Sequence, residues 1–323
     1  MYVLNIMNFI FGNKNEDKEK NVKIDHSKKL MNEIETLTRW KYSDTPWNDI
    51  VDMSELTHLI YDYGKHWKVD TLENLNNFFE ENKDNCKLEN CDINMIEGFK
   101  QRSPDAEVLR FFSNSADLQC VVCQNPNKKR YSIIFRGSEG FMDWLYDLLI
   151  VKSHLKDDIY VHKGFYKQLM HNETFTRIKE FVKKISEKNP DWEWFISGHS
   201  LGGALSTLAG YFFACYFPHK KWTVISLASP RVGNEAFKRS FERKNNLRHY
   251  RICNHRDIVT SIPMWGYYHV GHNLHYDAST SKWNDYGSFP EVTYALYRCW
   301  SPGDHSCMEY VKRLRTKRTA ASV

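Results

Sequence analysis

The segment Gly198-His199-Ser200-Leu201-Gly202 holds one serine between glycines, at a point where one sequence pattern gives way to another. The bulky residues before it, Trp192 to Ile196, are typical of a buried strand, and apolar residues recur after it at helical spacing. So sharp a strand-to-helix turn strains its apex residue and leaves no room for a neighbouring Cβ, which explains the glycines. The turn would present the serine hydroxyl beside the free N–H groups of a helix start. Ser200 is therefore predicted to be a nucleophile.

The composition excludes several classes of protein. The chain has 323 residues, enough for one large or two modest domains with a full core. Its formal net charge of +5 gives no case for nucleic acid, although it is compatible with peripheral contact with an anionic membrane. No apolar run approaches the roughly 18 residues of a membrane-spanning helix, so none is predicted. Aromatic residues make up 15% of the chain, which favours a protein that handles apolar ligands.

The N-terminus and the cysteines bear on the compartment. Residues 1–20 have apolar stretches but lack a basic n-region and a clear cleavage site, so a frayed or docking segment is favoured over a signal peptide. The eight cysteines are scattered, and Cys120 and Cys123 fall in a strand-like run that would turn them to opposite faces. We expect buried free thiols in a reducing, cytoplasmic compartment, with secretion through an atypical signal as the alternative.

The order of elements divides the chain into two parts. Residues 1–100 are predicted to be an N-terminal extension. Its residues 13–30 are predicted to be disordered or to begin a solvated helix, and a helical cover follows in which Leu56, Ile60 and Tyr63 share a face. Residues 101–323 alternate strands with helices and are predicted to form one catalytic domain. This alternation indicates an α/β fold with a mostly parallel central sheet flanked by helices. The predicted strands are 107–113, 117–124, 130–137, 193–198, 222–229 and 249–255, and the predicted helices are 165–187, 200–217 and 233–244.

Five motifs occur in a fixed order: FRGSEGFMDWLYDL, VHKGFY, GHSLGGAL, ASPRVGN and RICNHRDIVTSIP. Together they resemble those of the class 3 (fungal-type) lipases of the α/β-hydrolase superfamily. The resemblance covers residues 105–312 and implies an α/β-hydrolase fold and a serine esterase without a cofactor. No function is carried over to the residues upstream of residue 100.

The acid of the implied triad is placed by chain order, which in this superfamily is Ser, Asp, His. Asp257 follows a predicted strand and precedes IVTSIP, which matches the family's acid position. Asp191 is weaker because it comes before the serine, and Asp277 because it lies in a different motif. An aspartate after a strand is commonly a turn former or a cap, and that role is the alternative for Asp257.

The base has to be chosen among 14 histidines. The resemblance implies His305, in SPGDHSCMEY, whereas the rival His269 matches a non-catalytic strand-entry motif. His199 adjoins the serine, so its side chain leaves the turn in another direction. The trio His269, His272 and His275 does not predict a metal site, because residues three apart in a strand face opposite ways and no Cys or carboxylate completes the set.

The oxyanion of an acyl-transfer intermediate needs preorganised donors. The turn supplies one, the backbone N–H of Leu201 at the start of the helix. The resemblance places the second at Ser138, after the strand that ends in IIFRG, and implies that Asp147, nine residues on, orients it. Helix capping is the alternative role for Asp147. His162 matches a family residue that we interpret as structural.

The segment after Ser138 bears on the substrate. A buried core helix would account for its apolar residues, but in the resembling family this segment is a lid that covers the site and opens on a lipid surface. A lid is favoured here, contacting substrate through its large apolar side chains. These are Phe141, Met142, Trp144 and Leu145.

Two functions from different classes follow. The first is a serine carboxylic ester hydrolase that cleaves acyl lipids at a lipid–water interface, with acylglycerols as the substrate class that the resemblance implies. Phospholipase A1 and small-ester or feruloyl esterase activity are alternatives within that class. The second is a non-catalytic lipase-fold interaction protein, since folds outlive their chemistry. An intact Ser200, Asp257 and His305 favours the enzyme, because a scaffold is free to lose them.

Overall fold

A computed structural model describes residues 45–66, 106–138, 151–287 and 301–317, with side chains up to residue 61 in the first range. From Pro46 onward these residues belong to one compact unit, Pro46–Val323. Three of the predictions fall outside the described residues: the segment 13–30, the side chain of Tyr63, and the lid with Phe141, Met142, Trp144 and Leu145. Asp147 lies outside them as well.

The described strands build one large sheet and a separate pair. They are β1 (Glu107–Ser113), β2 (Gln119–Asn125), β3 (Arg130–Phe135), β4 (Lys152–Lys156), β5 (Ile159–His162), β6 (Glu193–His199), β7 (Trp222–Leu227), β8 (Leu247–Asn254), β9 (His272–Asp277) and β10 (Lys282–Gly287). The sheet has the order β1-β2-β3-β6-β7-β8-β9-β10, and β4 pairs with β5. The strands from β3 to β9 in that order run parallel, and antiparallel pairs close both edges. The mostly parallel sheet is thus confirmed.

Helices cover both faces of this sheet. They are α1 (Trp47–His66), α2 (Lys163–Met170), α3 (Thr174–Lys188), α4 (Leu201–Tyr216), α5 (Glu235–Glu242) and α6 (Cys307–Arg315). The four helices from α2 through α5 share one hydrophobic core with strand side chains such as Trp194 and Ile196 of β6. The next β6 residue, Ser197, instead bonds Thr57 of α1, with 2.8 Å between the two hydroxyl oxygens. Because successive strand side chains point to opposite faces, α1 lies across the sheet from that core.

The helix α1 lies within the predicted N-terminal extension and is anchored by burial and by ion pairs. Its apolar face includes Leu56 and Ile60, which are buried as the helical spacing predicted. Arg130, at the start of β3, bonds Asp49 at 2.9 Å and Asp52 at 3.2 Å. The Arg130 side chain is only 4% exposed, so removing its partners would leave a buried charge at a cost of about 3–5 kcal/mol. This helix is therefore fixed against the sheet near its first turn.

The single helix predicted over 165–187 is wrong in one respect, because two helices occupy that range. A 3-10 turn at His171–Glu173 separates α2 from α3, and Asn172 and Glu173 adopt φ values of 49° and 54°. Asn tolerates this left-handed backbone because its short polar side chain bonds locally. Asn114 takes up a carbonyl freed at the end of α2, donating to Gln168 O at 3.0 Å. Apolar periodicity continued across the break and concealed it.

The described cysteines are free, as expected, but the expectation that they are buried is wrong for Cys215. Cys120, Cys123 and Cys253 are buried, Cys307 is partly buried and Cys215 is exposed. Burial raises the pKa of Cys123 to about 12, so this thiol stays protonated at neutral pH. Among the helices of the described ranges, none has the length and apolar character needed to cross a membrane.

Candidate active site

The turn between β6 and α4 is strained at Ser200. This residue has φ 58° and ψ −124°, a backbone conformation that residues other than glycine rarely adopt. A Cβ on Gly198 would lie 2.2 Å from the Gly202 carbonyl oxygen, and one on Gly202 would lie 2.3 Å from the Phe135 carbonyl oxygen. The glycines therefore let β6, α4 and the end of β3 approach each other. The predicted strained turn is confirmed.

Ser200 is brought together with the predicted base and acid, which lie far away along the chain. The Ser200 Oγ is 2.9 Å from Nε2 of His305, and Nδ1 of His305 is 3.0 Å from each carboxylate oxygen of Asp257. A carboxylate only accepts, so Nδ1 of a neutral His305 carries the hydrogen and Nε2 accepts from the serine hydroxyl. All three side chains are buried. This arrangement can remove a proton from Ser200 when it attacks.

Asp257 is held by more than the imidazole. Its Oδ1 accepts from the Val259 backbone N–H at 3.0 Å, so the aspartate also caps a 3-10 turn. Its Oδ2 accepts from the Tyr310 hydroxyl at 2.7 Å. Burial, followed by the negative charge of Asp257, keeps the pKa of Tyr310 well above its usual value, so this hydroxyl remains a donor. Asp257 therefore caps the 3-10 turn and contacts the His305 imidazole at the same time.

The sequence does not single out Tyr310 as a site residue. It lies on α6, five residues after His305, among the residues that fill the buried side of that helix. A buried tyrosine at such a position is usually a packing residue, and no motif marks its hydroxyl. Only the position of its hydroxyl beside Asp257 distinguishes it.

The turn that carries His305, Pro302–His305, is tied to the sheet through Asp304. Asn254, at the end of β8, donates its side-chain amide to the Asp304 carbonyl at 2.9 Å. The Asp304 carboxylate pairs with Arg313 of α6 at 3.0 Å and accepts from the Arg256 N–H at 3.4 Å. These contacts hold His305, the predicted base, beside the end of β8, close to the predicted acid Asp257.

The other histidines considered from the sequence have different partners. His269 contacts the Thr260 carbonyl at 2.5 Å, and His162 caps α2 by accepting from the Phe165 N–H at 3.4 Å. His272 pairs with Asp285, and His275 contacts the His255 carbonyl. Within the described ranges, no group of three or more His, Cys, Asp or Glu side chains could hold a metal ion.

The predicted oxyanion donors lie at the two sides of the strained turn. Leu201 is the first residue of α4, where backbone N–H groups have no partner within the helix. Ser138 lies three residues past the end of β3 and, with His199 and His305, lines a cavity of about 290 Å³. The end of β3 adjoins the turn closely, since a Cβ on Gly202 would meet Arg136 backbone atoms at 2.8–2.9 Å.

Comparison with known proteins identifies relatives of this chain. A family model described as Lipase (class 3) matches residues 132–267. The secreted mono- and diacylglycerol lipase A of Penicillium cyclopium is 32% identical over 174 residues, covering 51% of this chain and 54% of that protein. A chloroplastic phospholipase A(1) of Arabidopsis thaliana is 31% identical over 167 residues, covering 44% and 37%. A crystal structure of a lipase from Rhizopus microsporus var. chinensis has a TM-score of 0.65 at 19% identity, covering 81% of this chain and 87% of that one.

The parallel sheet, the helices on both faces and the strained serine after β6 are the features of the α/β-hydrolase fold. The likeness to the solved lipase shows the same fold. The chain is similar to the class 3 lipases over residues 132–267, which make up less than half of its length. It spans about half the length of the curated relatives that it matches.

Proposed function

We propose that this chain is a serine carboxylic ester hydrolase that cleaves acyl esters of lipids, with acylglycerols as the preferred class, through an acyl-serine intermediate. One observation carries the proposal: the 2.9 Å contact between Ser200 Oγ and His305 Nε2, with Asp257 on the other nitrogen of that imidazole at 3.0 Å. Nucleophile, base and orienting group thus stand in hydrogen-bonding order, as nucleophilic catalysis requires.

In the proposed reaction, Ser200 attacks the ester carbonyl carbon while His305 takes its proton at Nε2. Asp257 keeps the imidazole in the required tautomer and stabilises the imidazolium that forms. The imidazolium then protonates the leaving alcohol as the carbon–oxygen bond breaks, which leaves an acyl-serine. Water, deprotonated by His305, attacks this ester, and the fatty acid departs as the serine recovers its proton.

The backbone N–H of Leu201 and the N–H or hydroxyl of Ser138 are proposed to bind the oxyanion. Both flank the strained turn, and Ser138 lines the same cavity as His305. Losing one such donor typically lowers kcat by about 10²–10³-fold. We therefore expect Ser138→Ala to lose the hydroxyl contribution and to keep the backbone donor.

The substrate class rests on the relatives and on the predicted lid. The Penicillium relative is named for mono- and diacylglycerols, whereas the Arabidopsis relative favours phospholipase A1 activity as the second candidate. The lid hypothesis for Phe141, Met142, Trp144 and Leu145 rests on the sequence and the family, because these residues lie outside the described ranges. Exposing one large apolar side chain fully to water costs about 1.5–3 kcal/mol, and a lipid surface would remove that cost.

The test is a panel of p-nitrophenyl esters, acylglycerols and phospholipids, together with labelling by a fluorophosphonate. We expect hydrolysis and labelling by wild type, neither by Ser200→Ala, and both by Ser206→Ala. Ser206 is a matched control because its buried hydroxyl bonds only the Gly203 carbonyl of its own helix among the described contacts. Rates on acylglycerols and phospholipids separate the two candidates. Hydrolysis of no ester by wild type would leave the non-catalytic alternative.

The lid is tested by rates below and above the critical micelle concentration of one ester. Wild type should be faster above it, and Trp144→Ser should lose part of that rise while keeping its rate on a dissolved short-chain ester. A flat profile in wild type would contradict the lid and favour a soluble-ester esterase.

A further inference from the structure

A chain of hydrogen bonds joins α1 to the residue proposed as the base. The hydroxyl of Tyr61, in α1, lies 2.7 Å from Nδ1 of His199, the residue before the nucleophile. The other nitrogen of His199, Nε2, lies 2.7 Å from the backbone carbonyl oxygen of His305. The rings of His199 and His305 are also packed together, with 4.7 Å between their centroids.

The direction of each bond follows from the chemistry of its partners. A carbonyl oxygen only accepts, so His199 donates from Nε2 to His305. A neutral imidazole has one N–H, so Nδ1 accepts from the Tyr61 hydroxyl. Burial, followed by the nearby His305, holds the pKa of His199 well below its usual value, which keeps this ring neutral. His199 therefore acts as a bridge with fixed polarity and is not a second base.

The bridge ties His305 to two consecutive residues of the strained turn. Its side chain contacts Ser200 and its carbonyl contacts His199. Rotation or withdrawal of the Pro302–His305 turn would break both contacts together. A base must stay within hydrogen-bonding distance of its nucleophile, and small displacements are costly to rate.

Gly137 is explained by the same hydroxyl. A Cβ at Gly137 would lie 2.1 Å from the Tyr61 hydroxyl and 2.6 Å from the His199 carbonyl oxygen. The glycine that precedes Ser138 thus makes room for Tyr61 between the end of β3 and the turn. Gly137 and His199 both lie in the motifs but outside the proposed triad. Gly137 leaves space for Tyr61, and His199 bonds its hydroxyl.

We infer that Tyr61 and His199 are positioning residues for the proposed hydrolysis, and that α1 is part of the active-site architecture through them. Tyr61 orients His199, and His199 holds the backbone of His305 at the distance at which its side chain meets Ser200. This inference rests on the proposed function. It assigns a role in the reaction to a helix upstream of the segment that resembles the family.

The experiment compares Tyr61→Phe with Tyr131→Phe. Tyr131 is the control, because its hydroxyl is hydrogen-bonded as well, donating to the Ile185 carbonyl and accepting from the Asn189 amide. It lies at the opposite end of β3 from Gly137. Tyr61→Phe leaves the buried Nδ1 of His199 without its donor. We expect kcat to fall by about 10–100-fold with KM within about twofold, and Tyr131→Phe to keep the kcat of wild type.

Two further readouts separate positioning from general loosening of the fold. The His199→Gln amide can both accept and donate, so this variant should retain more kcat than His199→Leu, in which both bonds are lost. The Asp304 and Ser306 amides donate to the Ser301 and Gly303 carbonyls, within or next to the Pro302–His305 turn, which we call the base turn. Their hydrogen exchange should become faster in Tyr61→Phe and not in Tyr131→Phe. Thermal unfolding of each variant checks that it is folded.

Equal kcat and equal exchange in Tyr61→Phe and Tyr131→Phe would overturn the inference, as would equal activity of His199→Gln and His199→Leu. If wild type hydrolyses no ester and takes up no fluorophosphonate, the proposed function fails instead. The exchange of Asp304 and Ser306 then decides alone whether Tyr61 holds the base turn.

Discussion

The strained turn at Ser200 and the turn that carries His305 meet at one point but are built in different ways. The first is formed by residues adjacent in sequence, and backbone packing dictates its shape, with Gly198 and Gly202 against the ends of neighbouring elements. The second follows a range that the structure does not describe and is held by side chains from β8, α6 and, through His199, α1. Backbone packing leaves little freedom, whereas a set of side-chain bonds can be removed one at a time.

This difference predicts how each region responds to mutation. Changes at the glycines should affect the fold, because no side chain can move aside. Changes around His305 should reduce the rate in steps and leave the fold intact, since each side chain supplies only part of the contacts that hold the Pro302–His305 turn.

The largest effect is expected for His305→Ala. Loss of the base from a triad lowers kcat on the order of 10⁶-fold, because the serine is no longer deprotonated as it attacks. His269→Ala is the control and should stay within about threefold of wild type, since His269 Nε2 contacts the Thr260 carbonyl and not Ser200. Steady-state hydrolysis of one soluble ester measures both. An inactive His269→Ala with an active His305→Ala would show that His269 is the base.

The second largest loss of kcat is expected for Asp257, the proposed acid, and a smaller loss for Tyr310, which bonds it. Asp257→Asn should lower kcat by about 10⁴-fold, because the amide no longer selects the correct tautomer. Tyr310→Phe removes one charge-assisted hydrogen bond, worth about 1.5–3 kcal/mol, and should cost about 10–100-fold. The pair is measured by kcat on one ester, alongside thermal unfolding. A Tyr310→Phe variant as active as wild type would reduce Tyr310 to a packing residue.

Substitutions at the glycines of the strained turn are expected to change the free energy of unfolding more than kcat. Gly202→Ala places a methyl group 2.3 Å from the Phe135 carbonyl oxygen, and overpacking of this kind costs about 1–3 kcal/mol. Gly203→Ala is the matched control, because its nearest contacts are 3.0–3.2 Å and its loss should be smaller. Urea unfolding gives both values. Equal stability of the two variants would show that the turn tolerates more than its packing suggests.

The smallest expected effect is on the pH dependence of stability. Burial, followed by the charge of Arg251, holds the pKa of His249 well below its usual value. The unfolded chain takes up a proton near pH 6.5 while the folded chain does not, so the free energy of unfolding falls as pH drops below that value. Each such histidine contributes up to about 1.4 kcal/mol per pH unit.

His249→Gln isolates this contribution from that of His199, which is also buried and neutral. Urea unfolding at pH 7.5 and at pH 5.5 should show a weaker pH dependence in His249→Gln than in wild type. The glutamine amide can still bond the Ser226 hydroxyl, which contacts His249 Nε2 at 2.8 Å. An unchanged pH dependence would mean that His249 does not stay neutral in the folded protein.

Much of this protein follows from short-range information in its sequence. The parallel strands, the helix after Ser200 and the glycines of the turn were predictable, because apolar periodicity and the lack of space for a Cβ act over a few residues. Ser200, Asp257 and His305 could be named from motifs whose order along the chain resembles a known family. The break between α2 and α3 was not predicted, since a left-handed backbone at Asn172 leaves the apolar pattern unchanged.

Tertiary structure alone decided what holds the site in place. Tyr61, His199 and Tyr310 have no spacing that distinguishes them from packing residues, because a hydroxyl or imidazole gains its role from the atom it meets. Those atoms are up to 138 residues away along the chain, as for Tyr61 and His199. The sequence determined which groups could do the chemistry, and the packing of α1 and α6 against the sheet determined which other groups keep them in position.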